Sequence, residues 1–69
     1  MKISARNVIR GRVVAINEGA INSEVVLDIG GGNRLVSVIT KTSVDALGLE
    51  PGKEALAVIK ASNIIVATG

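Results

Sequence analysis

Three short stretches of this chain gather the side chains that could hold a ligand: Ser4-Ala5-Arg6-Asn7, Thr40-Lys41-Thr42-Ser43 and Lys60-Ala61-Ser62-Asn63. Each joins at least one cation to hydroxyl or amide groups, and each lies at the end of an expected strand. Groups of this kind, together with backbone N–H, recognise a small anion by charge-assisted hydrogen bonds. Every cluster also has a plain structural reading. Ser4 and Arg6 would sit on a solvated terminus, Thr40 or Thr42 would cap a helix with Ser43 in its first turn, and Lys60-Ala61-Ser62 would form an exposed turn.

Other chemistries lack their equipment. The chain has no histidine and no cysteine, which removes the usual general base near neutral pH and the usual zinc ligands. A serine or threonine nucleophile would have only lysine to activate it, so an enzyme is not expected. A divalent cation wants clustered carboxylates. Glu24 and Asp28 share a strand face but stand four residues apart, and Glu50 and Glu54 flank a turn, so they read as solvated charges. Oligonucleotide sites stack bases on aromatic rings, and there is no aromatic residue. Eight basic against six acidic residues is also a thin electrostatic footprint for a phosphate backbone.

The elements that must place the clusters follow from periodicity. Val8 to Asn17 alternates, with Ile9, Gly11, Val13 and Ala15 on one face and Arg10 and Arg12 on the other, and predicts a strand. A turn at Glu18-Gly19-Ala20 leads to a second strand, Ile21 to Ile29, with Val25, Leu27 and Ile29 inward and Glu24, Val26 and Asp28 outward. Gly30 to Asn33 supplies positions free to take positive φ, hence a hairpin, and Leu35 to Thr40 is a third strand.

The period then changes to that of a helix. Val44 and Leu47 are three apart, and Thr42 and Asp45 have capping-box spacing. Gly48 suits the left-handed terminator, with Leu49 as its hydrophobic contact. This gives a helix of about two turns, ended by Pro51-Gly52. Two strands, Glu54 to Lys60 and Asn63 to Thr68, complete the chain. Three strands, a short helix and two strands describe an all-β domain with one short helix, a five-stranded OB-like barrel. Residues 1–69 form one domain.

The chain is 48% hydrophobic, with a mean hydropathy of +0.50. A domain this small buries only about 60% of its unfolded surface. The surplus apolar surface marks a partner interface, and an obligate homo-oligomer is expected, neighbouring subunits supplying the missing core. No apolar run approaches the ~20 residues of a membrane span. Met1-Lys2-Ile3 is no signal peptide, so a cytoplasmic protein away from membranes is expected. The net charge of +2 suits an anionic partner without naming it.

Taken together, "SARNVIRGRV", "ITKTSVDALGL-PG" and "VIKAS-I" resemble the molybdate-binding Mop domain in its single-domain form, the molbindins. The match runs over essentially the whole chain, and its most specific element is SARN followed four residues later by Gly11. The resemblance implies a five-stranded OB-like barrel assembled as a homo-hexamer, a trimer of dimers, with oxyanion sites between subunits. It implies molybdate or tungstate as ligand, no further cofactor, and a role in molybdenum storage or homeostasis in the cytoplasm.

The family's site residues carry over to named positions. Ser4 and Arg6 match the first binding segment, with Ala5 contributing backbone. Thr40 and Ser43 match a Thr-x-x-Ser pair facing the anion, and Lys60 matches a lysine from the neighbouring subunit. Some relatives carry a hydroxyl residue at the position of Ala61, where alanine offers only its N–H. Ser62 either replaces that hydroxyl or shapes the turn. Turn positions Gly19 to Asn22 are candidates for a second class of oxyanion site. Asn7 has no assigned role and is expected to fix the backbone of its neighbours. The competing reading is an oligomerisation module whose polar clusters only make subunit contacts; nucleic-acid binding is a more distant one.

Overall fold

A computed structural model of the chain describes all 69 residues. Four strands, β1 (Asn7–Glu18), β2 (Asn22–Gly30), β3 (Asn33–Thr40) and β4 (Glu54–Ile59), form one antiparallel sheet in the order β3-β2-β1-β4. Helix α1 (Lys41–Leu47) joins β3 to β4. The sheet curls into a half-barrel with α1 against one end. No helix is long and apolar enough to cross a membrane.

Local chemistry explains most of these boundaries. In the β2–β3 hairpin, Gly30 pairs with Asn33, and Gly31 and Gly32 both take positive φ, 62° and 79°. That is the backbone a two-residue primed turn demands. α1 begins at Thr40, whose Oγ1 accepts the Ser43 N–H at 3.1 Å. Thr40 and Ser43, rather than Thr42 and Asp45, therefore form the cap. The helix ends as its sequence predicts. Gly48 has φ 64°, its N–H donates to the Asp45 carbonyl, and the Leu49 N–H donates to the Val44 carbonyl, a Schellman closure.

Two expectations change. β1 carries a bulge between Val13 and Ala15, so the inward row Ile9, Gly11, Val13 continues at Ile16 instead of Ala15. The segment after α1 docks there, Val13 exchanging backbone hydrogen bonds with Lys53 and Gly52 at 2.9 and 2.8 Å. The fifth strand over Asn63 to Thr68 does not form within the chain. Ala61–Asn63 is a 3-10 turn, and from Ile64 onward no residue joins the sheet. Its β-branched residues have the composition of a strand, but a strand needs a neighbour, and this stretch runs out from the body with Ile65 93% and Val66 85% exposed.

The core is small. Val13, Val25, Leu27 and Val44 are buried, with Ile16, Ile29, Leu35 and Ile39 packed against them, and only 6 of 69 residues are buried at all. Leu47, expected beside Val44, lies on an open apolar groove of about 620 Å³ along the concave face, with Leu35, Ile39, Leu49, Ala57 and Ile59.

Candidate anion-binding site

The antiparallel register brings two of the three clusters together. Asn7 faces Ile59 in the first rung of the β1–β4 ladder, and the Asn7 Nδ2 donates to the Ile59 carbonyl at 3.2 Å. Continued one residue past that rung, the register sets Arg6 across from Lys60. Both are exposed. Neither is in an ion pair, the two pairs of the molecule being Arg10 with Glu54 at 3.8 Å and Lys53 with Glu50 at 3.3 Å.

Beyond Lys60 the chain enters the 3-10 turn, closed by the Asn63 N–H donating to the Lys60 carbonyl at 2.9 Å. Such a turn leaves its first N–H groups, here those of Ala61 and Ser62, without a partner inside it. Ser4 is exposed and Ala5 half-buried just before β1. One end of the sheet thus offers two unpaired cations, two hydroxyls and free amide N–H groups.

The charge distribution along the chain sharpens the picture. Residues 1–11 and 55–69, whose strand portions pair toward this end, contain Lys2, Arg6, Arg10 and Lys60 and no Asp or Glu. The six carboxylates lie between Glu18 and Glu54, with no three gathered to hold a bare metal ion. An anion arriving at the Arg6–Lys60 end would meet little competing negative charge.

Thr40 and Ser43 lie elsewhere. Thr40 pairs with Asn22 and Glu18 with Ser23, so this cluster sits at the Glu18 end of β1, away from the Asn7 end. Thr40 Oγ1 donates its proton to Ser43 Oγ at 2.8 Å, which leaves the Ser43 hydroxyl as the outward donor of the pair. The Lys41 N–H is taken by the Ile21 carbonyl at 2.9 Å. Gly19 to Asn22 forms a tight turn closed by the Gly19 N–H on the Asn22 carbonyl at 2.8 Å, and no unpaired cation lies within it.

The TOBE domain matches residues 3–66 of the chain. The chain belongs to the TOBE-domain family. Within that family it stands among the single-domain Mop proteins. It is 53% identical over 66 residues to a probable molybdenum-pterin-binding protein of Haemophilus influenzae, covering 96% of each chain. It is 47% identical to molybdenum-pterin-binding protein 1 of Clostridium pasteurianum, covering 96% of this chain and 97% of that one.

Solved Mop structures share its fold. MopII from Clostridium pasteurianum superposes with a TM-score of 0.90 at 42% identity, over 97% of this chain and all, 100%, of that one. A molybdate-binding protein from Sporomusa ovata gives 0.92 at 38% identity, over 99% and 100%. The mostly-β architecture with one short helix is therefore that of the Mop proteins.

Proposed function

We propose that this TOBE-domain protein binds molybdate or tungstate as an intact tetrahedral oxyanion, without catalysis and without covalent ligation of the metal. The observation that carries the reading is the acid-free end of the sheet, where the β1–β4 register sets Arg6 across from Lys60 beside the free N–H groups of Ala61 and Ser62. Relatives named for molybdenum-pterin and molybdate binding support the choice of ligand. Arg6 and Lys60 supply charge, Ser4, Ser43 and Ser62 supply directional donors, Thr40 orients Ser43, and Ala5 and Ala61 contribute backbone.

The strength is adequate. Hydrogen bonds involving charged groups contribute about 1.5–3 kcal/mol net each. Five or six approach ~10 kcal/mol before the cost of ordering. Micromolar binding needs about 8 kcal/mol. Sulfate, being smaller, would meet the same donors at longer range. Phosphate carries a proton at neutral pH, which would face a site made largely of donors.

A site using all three clusters takes two chains, because Thr40 and Ser43 stand at the opposite end of β1 from Arg6. With Lys60 of the same chain beside Arg6, the neighbouring subunit would supply Thr40 and Ser43 and not, as the resemblance implied, the lysine. The open half-barrel supports association on independent grounds, since its groove is apolar and a fifth strand is wanting. The reading is a homo-oligomer, a hexamer built as a trimer of dimers, with sites at subunit interfaces and a role in cytoplasmic molybdenum storage or homeostasis.

Isothermal titration with molybdate at physiological ionic strength tests the proposal. Saturable binding is expected, weakened tenfold or more by Lys60→Ala, a change consistent with losing one charge-assisted contact. An oligomer that takes up no molybdate would instead be a scaffold, its polar clusters serving only subunit contacts.

A further inference from the structure

Asn7 breaks the pattern of its own strand. The inward row of β1 runs Asn7, Ile9, Gly11, Val13, half-buried or buried throughout, and Asn7 is its only polar member. An apolar residue there would extend the concave face. Instead its amide crosses to β4 and donates to the Ile59 carbonyl at 3.2 Å, linking residues 52 apart in sequence.

The rung it secures is the terminal one of the β1–β4 ladder, where strand ends ordinarily fray. Next to it stand Arg6 and Lys60, two like charges with no carboxylate partner. Neither side chain ties the two segments together when no anion is bound. A side-chain donor fixed on the final carbonyl of β4 opposes fraying of that rung.

We infer that Asn7 is a positioning residue of the anion site, its amide holding the Arg6 and Lys60 segments side by side before the ligand arrives. This rests on the oxyanion reading given above. Asparagine fits the task by its chemistry. Alanine and serine are too short to carry a donor to the carbonyl, and aspartate would set an acceptor against an acceptor and add negative charge. Glutamine keeps the donor on a longer arm.

Molybdate titrations of the full-length protein test the assignment in a double-mutant cycle. Outer-shell groups that orient metal ligands typically cost about 10-fold or more in affinity when removed, and by analogy a loss of that order is expected for Asn7→Ala. The thermal midpoint and oligomeric state of the ligand-free protein should stay close to wild type, and Asn7→Gln should recover part of the affinity.

In a Lys60→Ala background, Asn7→Ala should cost much less than it does alone, because the partner it positions is gone. Wild-type affinity in Asn7→Ala, or losses that simply add to those of Lys60→Ala, would overturn the inference while leaving the proposed function standing. Unfolding of both Asn7→Ala and Asn7→Gln would assign the residue to stability and overturn it too. A wild-type protein that binds no molybdate would fail the proposed function itself.

Discussion

Ser23 is 1% exposed on the inward face of β2, and its Oγ has no hydrogen-bond partner. A buried polar group left unpaired costs about 1–3 kcal/mol in desolvation. Ser23→Ala removes the hydroxyl and leaves a gap of one small atom, so its unfolding free energy should equal that of wild type or exceed it by about 1 kcal/mol. Chemical denaturation at fixed protein concentration reads this directly; a loss of stability would mean that the hydroxyl finds a partner in the assembled protein. The residue scale is also where the candidate site was most legible. Ser4, Arg6, Ser43 and Lys60 declare themselves by type, as unneutralised donors in an otherwise apolar chain. Thr40 stands out with them, as half of a Thr-x-x-Ser pair, whereas the part of Asn7 depends on the bond it makes to the Ile59 carbonyl. No spacing in the sequence encodes a rung formed with a residue 52 positions away.

At the scale of elements, β1 depends on close contact with β2 at Gly11. A Cβ placed on Gly11 would lie 3.0 Å from the Asp28 carbonyl oxygen and 3.2 Å from Ile29 Cγ2. The oxygen belongs to the β2 backbone rather than to the far end of a flexible side chain, so relief requires the strand itself to shift. Gly11→Ala should therefore destabilise the protein by about 1–3 kcal/mol, the usual cost of overpacking. Thermal or denaturant unfolding would show it, and a midpoint equal to wild type would mean that β2 yields at this point. The hairpin at Gly30 to Asn33 and the Gly48 helix stop were legible for a local reason, since a few residues dictate each backbone conformation. The bulge in β1 was not. It is set by the docking of Gly52 and Lys53 onto Val13, and no alternation within β1 announces a partner 40 residues away. The fifth strand fails similarly: Ile64 to Thr68 has the right residues, but pairing is a property of two segments, and within this chain the second is missing.

For the whole molecule, the deficit of core and the surplus of apolar surface are the same fact seen from two sides. The concave groove lies open beside Leu35, Ile39 and Ala57, while Ile65 and Val66 of the same chain stand 93% and 85% exposed. Burying apolar area stabilises by roughly 25 cal/mol per Å², so two chains that each cover the other's groove gain what neither can gain alone. Ile65→Asp with Val66→Asp makes the tail polar while leaving the four-stranded body untouched. That variant should sediment as a smaller species than wild type at equal concentration, and it should bind molybdate more weakly, because Thr40 and Ser43 would no longer be brought to the Arg6–Lys60 end of a second copy. Adding molybdate should shift any residual equilibrium back toward the assembly, since a ligand that binds only the associated form stabilises it by mass action. If the doubly substituted protein keeps both the wild-type sedimentation coefficient and the wild-type affinity, the tail is not what covers the groove, and the proposed association through it is wrong.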